Sequence, residues 1–325
     1  MFDKGIEMAR TDIIMAFHAD MVAAPGLDEH VLKHLKKGTV VSATRVEPPL
    51  HPDGPEKMLV DFGVEVEDFD YDKFCDWDTK PVDSEGGYQP KHDTLVTEGI
   101  FAPWCMYKED FLAVGGHDAL FAPQSKEDSD LFNRFILNGY KVLQTWEGLV
   151  YHFTSRGSRF NKHAGGAAGK NSKEWLFTTT NNMRNFIRKW GHAVKHDPLM
   201  KPIIPPKYNI GFIVKDCDFQ TLAALEPWCD QIYVELAMLE EYIALEQKHT
   251  TFNLEDRIQP YKDEKTNNIL VKINGRMFTQ QDSSVIQNLS EILQDSGEIG
   301  EFNLGNLKIT INSLETYEKE LICAS

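Results

Sequence analysis

The sequence predicts an α/β fold on three observations. An apolar run, Ile13–Phe17, ends in the polar tripeptide His18-Ala19-Asp20, as a buried strand does when it delivers side chains at its carboxyl end. Strand-like and helix-like segments then alternate along most of the 325 residues, the rhythm of a sheet covered by helices. Prolines 198, 202, 205 and 206 separate two such stretches, so two domains are expected, residues 1–205 and 206–325.

Taken in order, the strand at 12–17 precedes a helix at 27–36, with Leu27, Val31, Leu32 and Leu35 on one face. Thr39–Val46 reads as the next strand, stopped by Pro48-Pro49. Residues 65–91 are acidic, aromatic and turn-rich, and read as a solvated insertion. Residues 99–114 lead through a strand or loop into a short helix closed by Gly115-Gly116. A helix is expected over Ser129–Asn138, ending at Gly139, and a strand over Lys141–Val150. Residues 157–173, rich in Gly, Ala and basic side chains, read as a mobile loop, and Trp175–Trp190 as a helix packing by its aromatic face. Beyond the prolines, strands at 208–214, 231–236, 268–273 and 307–311 alternate with helices at 219–225, 239–248 and 284–294. Asn267–Met277 overlays Thr11–Met21 without a gap but matches only at Ile269 and Met277. Either a decayed repeat or a generic strand–turn–helix accounts for that.

The net charge of −16 argues against a nucleic-acid binder. The acidity is concentrated after residue 205, where 10 Lys/Arg face 20 Asp/Glu. One basic island interrupts the rest: Arg156, Arg159, Lys162, Lys170, Lys173, Arg184, Arg188 and Lys189 against Glu174 alone. Such an island suits a small anionic ligand. No run of apolar residues is long enough to span a membrane. Five scattered cysteines without metal-ligand spacing fit a reduced, cytoplasmic protein.

Three clusters carry candidate chemistry. His18 and Asp20, one residue apart after a strand, read either as metal or nucleotide ligands or as caps of an ordinary turn. Glu127, Asp128 and Asp130 open a helix, where carboxylates suit the positive end of the dipole. Three carboxylates in four positions exceed what capping needs, and one can act as a general base toward a hydroxyl. His152, after a strand and ahead of the basic loop, is placed to complete a metal site with Asp20; imidazole with carboxylate suits Mn²⁺, and carboxylate with diphosphate oxygens suits Mg²⁺.

In order and spacing, Ile13–Phe17, His18-Ala19-Asp20, Gly115–Asp118, Glu127-Asp128, His152 and the closing Asn185–Gly191 resemble the inverting nucleotide-sugar glycosyltransferases of the family 2 type. The resemblance covers residues 1–191. It implies a partial glycosyltransferase-A fold, Rossmann-like and three-layered, with a smaller C-terminal α/β domain. It further implies that Asp20 binds Mn²⁺ or Mg²⁺, with His18 on ribose or metal and His152 as a further ligand. Asp128 would be the base. Arg156, Arg159 and Lys162 would clamp the donor diphosphate, while Trp104, Asp118 and Glu127 would meet the acceptor.

The family places its nucleotide-gripping strands ahead of the metal-binding strand, whereas here that strand lies at the start. A fragment or split protein completed by a second chain is therefore expected, ahead of a circular permutation in which residues 206–325 replace the missing half. The alternative function is a non-catalytic sugar- or nucleotide-binding accessory module. A metal-dependent hydrolase is more distant, since the chain offers no multi-ligand metal cage.

Overall fold

A computed structural model describes residues 2–82, 84–96, 99–235, 239–261 and 265–322. It shows the expected α/β class, built on two separate sheets.

The first unit contains α1 (Phe2–Met8), β1 (Ile13–Ala16), β2 (Met21–Ala23), α2 (Leu27–Leu32), β3 (Thr39–Glu47), β4 (Lys57–Leu59), α3 (Tyr71–Thr79), β5 (Leu95–Val96), β6 (Trp104–Tyr107), α4 (Lys108–Ala113), α5 (Glu127–Leu137), β7 (Lys141–His152) and α6 (Lys173–Trp190). Its sheet runs β1-β6-β3-β7-β2, with β4 beside β3 and β5 beside β7. Strand β3, rich in Thr and Val, is buried along almost its whole length, as a strand covered on both faces must be. It lies parallel to β7 from Thr39–Lys141 to Val46–Tyr151, with an irregularity after Ala43. This register brings the carboxyl ends of β3 and β7 together. Gly116 adopts φ 69°, and a Cβ there would stand 2.8 Å from Asp3 Oδ2, so the Gly-Gly turn lets α1 close against α4.

The 65–91 segment is not a solvated insertion. Phe62, Phe74 and Tyr88 are buried, and Phe69 and Trp77 pack with them against Tyr151 and Phe153. The Phe69 ring stacks on Tyr151 at 4.7 Å. Its acidic residues alternate with aromatic ones, so charge faces water while the rings build a satellite core.

The second unit contains β8 (Ile210–Lys215), α7 (Phe219–Leu225), β9 (Gln231–Val234), α8 (Leu239–Glu246), α9 (Leu254–Arg257), β10 (Ile258–Pro260), β11 (Ile269–Asn274), α10 (Gln280–Gln287), α11 (Leu289–Ser296), β12 (Gly300–Leu304) and β13 (Leu307–Ile311). The order is β10-β9-β8-β11-β13-β12, with the first four strands parallel and the last two antiparallel. The helix expected over 284–294 is two helices, broken at Asn288, where φ is −114° and ψ 16°. β12, not anticipated, alternates polar and apolar residues at the sheet edge.

The two units meet on α6. Arg184 and Arg188 pair with Glu226 and Glu246 of the second unit, and Lys195 pairs with Glu291. Among the described residues none beyond Pro202 lines the cavity beside His18 and His152. Among the described residues no helix is long and apolar enough to cross a membrane, and the four described cysteines are free.

Candidate active site

The site is assembled by strand register. β2 runs antiparallel to β7 with Met21 opposite His152, which sets Asp20 beside the histidine. The Phe153 amide donates to the Asp20 carbonyl at 3.0 Å. Thr154 and Ser155 then take φ values of 66° and 57°, a conformation costly for a β-branched residue. They turn the chain so that the Arg156 amide donates to Asp20 Oδ2 at 2.8 Å.

Ligating atoms of His18, Asp20 and His152 all lie within 4.8 Å of one another, the one such group among the described residues. His152 Nε2 stands 3.7 Å from Asp20 Oδ2, and its Nδ1 is 2.8 Å from Glu47 Oε1. Burial disfavours the Asp20 carboxylate, but His152, the Arg156 amide and His18 outweigh it and hold its pKa at about 2. Burial also disfavours the His152 imidazolium, yet Asp20 and Glu47 raise its pKa above the ordinary value. His18 shifts the other way, lowered chiefly by burial, although Asp128 and Asp20 pull against it.

A cavity of about 220 Å³ opens beside this group, lined by His18, Arg45, Phe101, Asp128, Asn133 and His152 among others. The Asp128 carboxylate makes no hydrogen bond or ion pair among the described residues. Its neighbour Glu127 has a buried Oε2 without a partner. Burial and the adjacent Asp128 hold the Glu127 carboxyl well above the usual range. Ser125 and Lys126, at φ 78° and 77°, lead into this corner. The third carboxylate, Asp130, is fully buried and bonds Arg134 at 2.9 Å and Trp190 Nε1 at 2.9 Å.

Other candidate residues lie elsewhere. Trp104 is 1% exposed and stacks on Phe111, so its ring belongs to the core. Asp118 is buried; it accepts from Lys189 at 2.7 Å and from the Leu120 amide. Arg156 turns its guanidinium to the Val64 carbonyl at 2.6 Å. Arg159 bonds Asn171 and lies over Trp175, and Lys162 reaches Glu65 at 3.0 Å. None of the three lines the cavity. Much of the basic island is likewise structural: Arg184 and Arg188 join the two units, and Lys189 pairs with Asp118 and Asp130.

Sequence reasoning missed Arg45 and Glu47. Their signal was two charges at alternate positions, hence on one face, in an otherwise apolar strand. It also missed the segment after α6, where Lys195, His196 and Met200 close one wall of the cavity.

Residues 98–160 match the sequence model of the family described as chondroitin N-acetylgalactosaminyltransferase. The match supports a glycosyltransferase. It spans β6, α5 and β7, and so includes Asp128 and His152 but neither His18 nor Asp20. No curated protein matches the chain.

Proposed function

We propose that this protein is a metal-dependent, inverting glycosyltransferase of the family 2 type, moving a sugar from a nucleotide-diphosphate donor to an acceptor hydroxyl. The observation that carries the reading is the convergence of His18, Asp20 and His152 beside a cavity that Asp128 also lines. Two imidazoles and a carboxylate fit Mn²⁺ better than Mg²⁺ and leave positions open for diphosphate oxygens. A divalent cation held there would neutralise charge on the leaving diphosphate.

The chain's own residues would do the rest. Asp20 is ionised across the physiological range and fixed by the Arg156 amide, so it is ready to ligate. His18, its imidazole kept neutral by burial, offers a nitrogen lone pair. Asp128 would take the proton from the acceptor hydroxyl as that oxygen attacks the anomeric carbon from the side opposite the diphosphate, which inverts the configuration. Phe101 and Phe132 give the cavity apolar surface against which a sugar can lie. Given the matched family's description, UDP-activated N-acetylgalactosamine is the first donor to test.

A second chain supplying nucleotide-binding strands is proposed as a partner beside β1. In its support, β1 ends the sheet, and an apolar groove lined by Phe2, Ile6 and residues 13–17 runs along it.

Calorimetric titration with UDP and GDP, with and without Mn²⁺, tests the proposal. Mn²⁺-dependent nucleotide binding is expected, and Asp20→Ala should remove the metal dependence. Metal dependence unchanged in that variant would place the cation elsewhere. A folded chain that binds neither nucleotide under any condition would favour the accessory-module reading.

A further inference from the structure

We propose that Glu47 is a positioning residue that presents Nε2 of His152 to the cation site; the inference rests on the metal-dependent reading above. Glu47 closes β3, one residue beyond the Val46–Tyr151 pair, so the parallel register sets it beside His152. It is 2% exposed. Its Oε1 lies 2.8 Å from His152 Nδ1, and its Oε2 accepts from Lys57 Nζ at 2.9 Å. Arg45 Nη1 stands 3.5 Å from Oε1.

A carboxylate only accepts hydrogen bonds, so the nitrogen facing it must carry the hydrogen. That leaves Nε2, the nitrogen turned toward Asp20, as the one whose lone pair a metal can take. A histidine held in this way by a carboxylate is fixed in ring orientation and in tautomer, and becomes the more basic ligand. The same carboxylate also neutralises Lys57 and Arg45, so a purely structural role must be told apart from positioning.

Glutamine at this position makes the distinction. Lys57 and His152 meet different oxygens of Glu47, and glutamine keeps an acceptor at only one of those two positions. If the ammonium keeps the oxygen, the NH₂ group faces Nδ1 and demands a lone pair there, which moves the hydrogen to Nε2. The cation site then loses its nitrogen ligand while its oxygen ligand stays. Removing a negative charge weakens binding of any divalent cation, but loss of a nitrogen falls on Mn²⁺ far more than on Mg²⁺, which relies on oxygen.

The experiment is calorimetric titration of the full chain with Mn²⁺ and with Mg²⁺, for wild type, Glu47→Gln, Glu47→Asp and Asp20→Asn, with metal-free thermal unfolding of each. Glu47→Gln is expected to weaken Mn²⁺ binding by about 10–100-fold, with a much smaller change for Mg²⁺. Glu47→Asp keeps two acceptor oxygens on a shorter stem and should fall between wild type and Glu47→Gln. It decides the matter alone if the glutamine variant does not fold. An Mn²⁺-to-Mg²⁺ affinity ratio unchanged in both variants overturns the inference, whatever happens to the melting temperature. Wild type that binds Mn²⁺ and loses it in Asp20→Asn but not in Glu47→Gln overturns this inference alone. Wild type that binds neither ion overturns the metal reading, and this inference with it.

Discussion

Asp128→Asn is expected to lower the rate of sugar transfer by about 10²–10⁴-fold, the usual contribution of a positioned general base, while nucleotide binding stays intact. The substitution keeps size and shape and removes only the ability to take a proton. Asp128 lines the same cavity as His18 and His152, so under the proposed reading an acceptor hydroxyl lodged there would be within its reach. Its neighbour supplies the control. Burial and the Asp128 charge hold the Glu127 carboxyl above its ordinary range, so Glu127 stays protonated further toward neutral pH and glutamine is a close mimic of it. Glu127→Gln should therefore be mild at neutral pH. Its effect should grow as pH rises and the wild-type carboxyl ionises beside Asp128. Steady-state rates for both variants, with nucleotide affinities measured in parallel, check this. A silent Asp128→Asn beside a dead Glu127→Gln would exchange the two roles, and equal loss of nucleotide binding would remove Asp128 from the chemistry.

The parts of the site legible in the sequence were those fixed by local order. His18 and Asp20 follow β1 directly, His152 ends β7, and Asp128 opens α5. Each sits at a strand or helix terminus that periodicity can find. What sequence could not show is which charges neutralise one another across the fold. Arg184, Arg188 and Lys189 read as a basic island because their partners, Glu226, Glu246, Asp118 and Asp130, are 38 to 71 residues away or lie in another element. Trp104 precedes α4 in sequence, yet its strand register with Ser42 and Ala16 turns it into the core. The overlay of Asn267–Met277 on Thr11–Met21 has a counterpart in topology, since β1 and β11 each lie antiparallel to one neighbour. They differ on the other side, where β11 also pairs with parallel β8 and β1 ends its sheet. At the position of Asp20 the second unit carries Arg276, a cation that cannot ligate a metal.

Glu226→Ala is expected to destabilise the protein by about 3–5 kcal/mol, the cost of leaving a buried charge without its partner. Glu226 is fully buried in the second unit. Arg188 Nη2 and Nε reach its two oxygens at 2.6 and 3.0 Å, Arg257 Nε reaches Oε1 at 2.9 Å, and the Tyr242 hydroxyl donates to Oε2 at 3.0 Å. Removing the carboxylate leaves the buried Arg257 guanidinium without its ion-pair partner and leaves Arg188 with Glu246 alone. Urea unfolding at pH 7 measures the loss. Proton linkage gives an independent check. Burial alone pushes the Glu226 carboxyl up, but Arg188 and Arg257 hold it at about 2. A depressed carboxyl contributes stability that is complete above its ordinary pKa of about 4.5 and is lost as pH falls toward 2, worth about 3 kcal/mol here. Wild type should therefore lose stability through that window, and Glu226→Ala should lose that much less across it. A urea midpoint unchanged in Glu226→Ala would overturn this expectation, and the union of the two units would then rest on the apolar contacts around α6 rather than on this carboxylate.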